Sequence, residues 1–165
     1  DSPQELGFGA AVTFGNFLFA ADTKWINWAD ADGYEDFDWD DQYVFAVGGQ
    51  WQALPKLFLR AGYNYAEHPL DENNGFSPAP TSVQGKSLPG YYYETFRAIG
   101  FPAIVEHHVT FGMTYEFTPN FALNLGYVHG FEETFKEKGT DFAGPSTIES
   151  KLSEDSIDFG LTWRF

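Results

Sequence analysis

Apolar and polar residues alternate along most of this chain with a period of two. The last ten residues show it most cleanly: Ile157, Phe159, Leu161, Trp163 and Phe165 share one face, and Asp158, Gly160, Thr162 and Arg164 the other. Such a period marks a β-strand with one apolar and one polar side. Six further segments carry it. Leu6 to Phe14 sets Leu6, Phe8, Ala10, Val12 and Phe14 against Gly7, Gly9, Ala11 and Thr13. Phe17 to Trp25 sets Phe17, Phe19, Ala21, Thr23 and Trp25 against Asp22 and Lys24. Tyr43 to Trp51 sets Tyr43, Phe45, Val47 and Trp51 against Gly48 and Gln50, and Leu57 to Tyr65 sets Leu57, Leu59, Ala61, Tyr63 and Tyr65 against Arg60, Gly62 and Asn64. Val105 to Phe117 and Phe121 to Phe131 complete the set.

These segments are 9 to 13 residues long, the length with which a tilted strand crosses a bilayer. Tyr, Trp and Phe crowd the ends of the apolar faces, as aromatic girdles do at a membrane interface. Gly15-Asn16, Leu54-Pro55-Lys56 and Thr118-Pro119-Asn120 read as tight turns. Long polar stretches at about 29–41, 67–104 and 133–153 separate the other strands. Short turns at one end and long loops at the other describe an all-β, transmembrane, antiparallel up-and-down β-barrel of outer-membrane type. The short turns and the C-terminus would then be periplasmic, and the long loops extracellular. A closed bacterial barrel has an even strand count. Seven segments therefore predict either an unrecognised strand within 67–104 or a larger barrel of which this is part.

Composition narrows the choice of solvent for the apolar face. Aromatics reach 19% of 165 residues, yet mean hydropathy is −0.33. The apolar residues are therefore diluted by alternation rather than gathered into runs, and no stretch approaches the ~18 apolar residues of a membrane helix. The net charge of −15 argues against nucleic acid as a partner, because phosphate contacts need a basic face. There is no cysteine, hence no disulfide framework or thiolate chemistry. The chain opens at Asp1-Ser2-Pro3, which suggests a processed product or a piece.

Candidate chemistry lies on the polar faces and in the loops. Asp22, Lys24, Arg60, Glu106, His108, Glu116, Asp158 and Arg164 point inward. Lys24 and Arg60 are natural partners for a ligand carboxylate, with Asn64, Glu106 and His108 on the same wall; pairing among wall charges is the structural alternative. Residues 29–41 hold Asp30, Asp32 and Asp36, and Asp30-x-Asp32-Gly33 begins like a calcium loop. The twelfth position is Asp41 rather than Glu. A Ca2+ site, also shared with lipopolysaccharide, thus stands beside a plain solvated acidic loop. In Glu106-His107-His108, strand alternation puts Glu106 and His108 on one face and His107 on the other. Tyr92, Phe96 and Phe101 lie in the Pro-, Gly- and Tyr-rich part of 67–104 and offer an apolar surface at the barrel mouth. No Gly-x-Ser-x-Gly elbow or glycine-rich phosphate loop occurs.

Three stretches carry a resemblance: Phe19 to Trp28, Leu57 to Tyr65 with His68-Pro69-Leu70, and Gly100 to Gly112. They resemble the FadL family of outer-membrane transporters for long-chain fatty acids and aromatic hydrocarbons. The resemblance implies a fourteen-stranded barrel plugged by an N-terminal hatch, with residues 1–165 as its C-terminal half, strands eight to fourteen. It implies passive uptake of hydrophobic molecules: capture at external loops, diffusion into the lumen, then release by a conformational change or a lateral opening. The hatch and the pocket of the first half have no counterpart here, so no particular fatty-acid site is implied. The expected partners are membrane lipid and lipopolysaccharide, a hydrophobic small molecule, and the missing N-terminal half or a second copy, with no required cofactor. A structural or adhesive barrel with ion-binding loops, and a barrel lipase, are the other readings.

Overall fold

The structure, a computed structural model, describes residues 2–165. Its strands are β1 (Gln4–Phe14), β2 (Phe17–Asn27), β3 (Gln42–Leu54), β4 (Leu57–Ala66), β5 (Pro80–Val83), β6 (Lys86–Pro89), β7 (His107–Thr118), β8 (Phe121–Asp141) and β9 (Gly144–Trp163), with helix α1 (Gly90–Gly100) between β6 and β7. Among the described residues, seven strands form one antiparallel meander, ordered β1-β2-β3-β4-β7-β8-β9. The β5–β6 pair is a separate hairpin. Residues 67–104 thus add no strand to the main sheet, and β1 and β9 are its two edges.

The register keeps the predicted faces together. Phe14 pairs with Phe17, and Phe17 with Trp51, so the outward side chains near the short turns form one aromatic band. The band continues through Tyr115, Phe117, Phe121 and Trp163, whose successive ring centroids lie 4.9, 5.6 and 5.7 Å apart. Phe159 and Trp163 stand about 70% exposed, a degree of aromatic exposure that water does not favour. The opposite face is small and polar. Gly48 lies opposite Gly62, and Gly112 opposite Gly126. At Gly62 a Cβ would meet the Thr110 hydroxyl at 2.8 Å and the Val47 carbonyl at 3.4 Å, so neighbouring strands crowd this wall.

The largest departure from the sequence reading is residues 133–153. They continue β8 and β9 beyond the other strands as a paired hairpin, from Glu133↔Leu152 to Asp141↔Gly144. The stretch reads as a loop because its outward positions are charged: Lys136 pairs with Glu149 at 2.6 Å, and Lys151 reaches Glu149 at 3.4 Å. One extra residue between Gly130 and Glu133 shifts the register. Odd positions after the bulge therefore take the face that even positions held before it. Phe135 and Glu137 are buried, whereas Thr134 and Lys136 are exposed.

At the hairpin tip the Asp141 carboxylate accepts the amides of Ala143 at 2.6 Å and Gly144 at 3.1 Å, an Asx-type turn. Gly144 has φ +130°, a conformation that costs a side-chain-bearing residue free energy. Asp141→Ala is expected to fray this tip and weaken the hairpin by about 1 kcal/mol, read as faster amide exchange confined to residues 136–149.

Helix α1 lies within 67–104, where the sequence pattern suggests a long loop or one further strand rather than a helix. Tyr93, Glu94, Arg97 and Ala98 form its buried face. Two of those four are charged, so an apolar helical period is not visible in the sequence. Its N-terminus is held by Ser77 and Ala79 carbonyls, each 3.0 Å from the amides of Tyr91 and Gly90.

Candidate functional site

The long connections fold together over the loop end of the sheet and make a cap. Its centre is Leu70, Phe76, Ala98, Ile104, Phe135 and Ile148, with Trp39, Tyr91 and Leu152 against it. Residues 73–77 run along β8: the Gly75 amide donates to the Lys138 carbonyl at 2.7 Å, and the Thr140 amide to the Phe76 carbonyl at 2.8 Å. A Cβ at Gly139 would collide with Phe76, so glycine permits this close approach. The acidic loop is tied in as well, through Asp40 amide to Pro69 carbonyl at 2.7 Å and Trp39 opposite Leu70.

Inside the cap is a buried ion triad. Arg97 is fully buried. Its Nε donates to Glu94 at 2.8 Å, and its terminal nitrogen donates to Glu137. Glu137 also accepts the Asn73 amide at 2.8 Å. Burial pushes the Glu137 carboxyl up to about 7, against the opposing effects of the Asn73 amide and Arg97. Burial also raises Glu94, with Arg97 opposing. Tyr93 donates to the Asp36 carbonyl at 2.6 Å, and its hydroxyl is raised by burial first and then by Asp38. The acidic loop, α1 and the hairpin are therefore one hydrogen-bonded unit.

On the cap surface lies an apolar cleft of about 240 Å³, lined by Phe37, Val83, Gln84, Lys86, Leu88, Tyr93 and Phe96. Phe37, Phe96 and Phe101 form a triangle of rings with centroids 5.4 to 5.9 Å apart. Phe96 and Phe101 are each about half exposed. They do come together as an apolar surface. Tyr92 does not join them; it lies against Tyr91 at 4.2 Å and near Phe142 at 6.2 Å. Phe37, Val83 and Leu88 carry no pattern that marks them in the sequence, because the acidic loop and the Pro-rich loop that bring them together are far apart along the chain. The signal available was the apolar residue in each.

The inner wall carries a hydrogen-bonded chain across five strands. Arg60 donates to Gln50 at 2.8 Å and to Thr114 at 2.7 Å. Thr114 donates to Asn124 at 2.8 Å, and Asn124 to Thr162 at 3.0 Å. Arg60 is thus held in place while still exposed. Lys24 pairs with Glu5 at 2.8 Å, both about half exposed. Asn64 sits opposite His108 in register, and His108 Nε2 lies 4.0 Å from Glu154. The predicted wall residues therefore divide into an Arg60 group near the short turns and a His108 group near the loops.

Glu106 departs from its predicted place. It precedes β7, its Oε1 accepts the His68 amide at 3.2 Å, and its carboxylate approaches His107 and Glu133. The backbone still follows the β4 register there, with the Ala66 amide donating to the Glu106 carbonyl at 3.0 Å, so it is the Glu106 side chain that turns toward His107. The acidic-loop carboxylates are drawn to different partners: Asp30 to Asn27 at 3.0 Å, and Asp36 to Gln84 at 2.8 Å. The structure does not gather Asp30, Asp32 and Asp36 into one ligand set.

Comparison with known proteins places this architecture. No family model matches the chain. A 47 kDa outer membrane protein of Pasteurella multocida (strain Pm70) is 28% identical over 127 residues, covering 76% of this chain and 23% of that protein. Among solved structures, a TodX monoaromatic hydrocarbon channel carrying the deltaS2 mutation superposes with a TM-score of 0.60 at 21% identity, covering 99% of this chain and 36% of that one. The deltaS2S3 mutant of that channel gives 0.57 at 22% identity, covering 98% and 36%. The chain therefore has the fold of a segment of such a channel's β-barrel, and it spans about a quarter to a third of the length of these relatives.

Proposed function

We propose that this chain is part of an outer-membrane barrel related to the FadL transporters, and that the whole barrel passes hydrophobic molecules such as long-chain fatty acids or aromatic hydrocarbons without energy coupling. One observation carries the reading: a single sheet presents aromatic and aliphatic side chains on one face and glycines with a hydrogen-bonded polar chain on the other. Lipid suits the first face and a wet passage the second. In this reading the short turns are periplasmic and the cap faces the outside, among lipopolysaccharide. The remaining strands of the barrel, or a second copy, pair with β1 and β9, since unpaired edges are costly in hydrocarbon.

The cap cleft is the entry point in this proposal. It offers Phe37, Val83, Leu88 and Phe96 side by side on the outer surface, and burying apolar area is worth about 25 cal/mol per Å2. Arg60 lies deeper on the wall, where it meets a carboxylate if the cargo has one. The test is uptake of a labelled fatty acid or monoaromatic compound by liposomes containing the whole barrel. Phe37→Ala with Phe96→Ala is expected to slow uptake at low substrate concentration by about tenfold, the equivalent of ~1.4 kcal/mol in capture. Uptake equal to that of protein-free liposomes would overturn the transport reading. Normal uptake by the double variant would overturn the role of the cleft alone.

A further inference from the structure

Glu106, His107 and Glu133 meet where β7 begins, at the loop end of the sheet. Each offers one donor atom, and the three donors lie within 4.8 Å of one another. Among the described residues no other trio of His, Asp or Glu donors does so. All three are half-buried. The ion pairs of the described residues involve neither Glu106 nor Glu133. Two carboxylates thus converge beside an imidazole with no Lys or Arg to balance them, which points to a cation as the missing component.

The imidazole is already oriented. Its Nδ1 lies 2.6 Å from the Tyr63 hydroxyl, and its ring packs on Tyr65 with centroids 4.8 Å apart. In the tautomer whose Nδ1–H donates to Tyr63, the Nε2 lone pair is left for a metal, the arrangement that metal-binding histidines use. Glu106 is oriented too, because its Oε1 accepts the His68 amide at 3.2 Å. That leaves Oε2 for a ligand.

We propose that Glu106, His107 and Glu133 bind one divalent first-row cation, with Zn2+ the best chemical match. Two carboxylates neutralise a dication. The imidazole moves the preference from Ca2+ and Mg2+, which take oxygen ligands, towards zinc. Three protein ligands leave a fourth position for water. Donors around a tetrahedral zinc with ~2.1 Å bonds stand about 3.4 Å apart, so the three donors, within 4.8 Å of one another, need only draw in by up to about 1.4 Å to close the set. Bound there, the ion ties the start of β7 to the hairpin that supports the cap. The proposal does not depend on what the barrel transports.

The test is calorimetric titration of Zn2+ into the whole barrel in detergent, in the presence of millimolar Mg2+. One saturable site per chain is expected, with nitrogen and oxygen ligation in zinc-edge absorption. His107→Gln and, on a different strand, Glu133→Gln are each expected to weaken binding about 100-fold. Tyr63→Phe, which keeps every ligand, is expected to weaken it about tenfold. His129→Gln is the control, because that imidazole is engaged by Asp155 at 2.9 Å; it should leave the affinity unchanged. Absence of a saturable site, displacement by Mg2+, wild-type affinity in His107→Gln, or loss in His129→Gln would each overturn the assignment.

Discussion

Replacing Arg97 by Met is expected to unfold the cap and leave the main sheet intact, at a cost of about 3–5 kcal/mol. Arg97 is fully buried between Glu94 and Glu137, with its guanidinium 5.8 Å from the centre of the Phe135 ring. Met has similar length and keeps much of the packing, but it strands two carboxylates next to each other out of water. The loss should appear as fast amide exchange in α1 and residues 73–77, with β1 to β4 unaffected, and as new protease cleavage near α1. Adding Glu94→Gln and Glu137→Leu to Arg97→Met removes the stranded charges and should recover most of the protection. Unchanged exchange in Arg97→Met would mean that the triad does not hold the cap.

The same triad sets the pH response. One guanidinium serves two carboxyls, and burial raises both. Glu137 titrates at about 7 in the folded cap against an ordinary 4.5. Its proton is therefore bound more tightly when the cap is closed. The stabilisation is complete below pH ~4.5 and is lost as the pH rises through about 7. Cap exchange should accelerate between pH 5.5 and pH 8 beyond the intrinsic base-catalysed rate. Glu137→Gln should flatten that dependence.

What the sequence shows and hides follows from which physical pattern each region obeys. The strands from β1 to β4 alternate because one solvent faces each side, and the tight turns carry the residues that turns need. Residues 133–153 hide because their outer face meets water and their inner face meets the cap, so charges alternate where apolar residues do elsewhere. The bulge after Gly130 then changes which parity points inward. Glu137 becomes a cap residue only through that shift. Helix α1 hides because Glu94 and Arg97 occupy its buried face and satisfy each other. The predicted wall residues Lys24, Arg60, Asn64 and His108 needed only alternation; the register sets Lys24 opposite Gly7, Arg60 opposite Gln50 and Asn64 opposite His108. The convergence of Glu106, His107 and Glu133 needed a tertiary neighbour from β8, which no local spacing reveals. Phe96 was legible as an exposed apolar residue, but its partner Phe37 lies 59 positions away by the numbering inside an acidic loop.

A neighbouring pair of substitutions separates a lipid-facing sheet from a water-soluble one. Val47 and Ala46 are adjacent on β3, with Val47 opposite Ala21 and Tyr63 on the apolar side, and Ala46 opposite Asp22 and Asn64 on the polar side. Val47→Arg is expected to destabilise the whole barrel in a bilayer by about 2–4 kcal/mol, because a guanidinium near the mid-plane is drawn out of water into hydrocarbon. Ala46→Arg places the same charge beside Asp22 on the inner wall, and a change below about 1 kcal/mol is expected there. The measurement is reversible urea unfolding of the whole barrel in lipid vesicles, followed by Trp fluorescence. If the outward face instead met water, Val47→Arg would be nearly neutral, since Val47 is 55% exposed. A solvated surface tolerates arginine. The asymmetry between adjacent positions tests the solvent on each side directly, and a null or reversed difference would remove the basis for placing this sheet in a membrane.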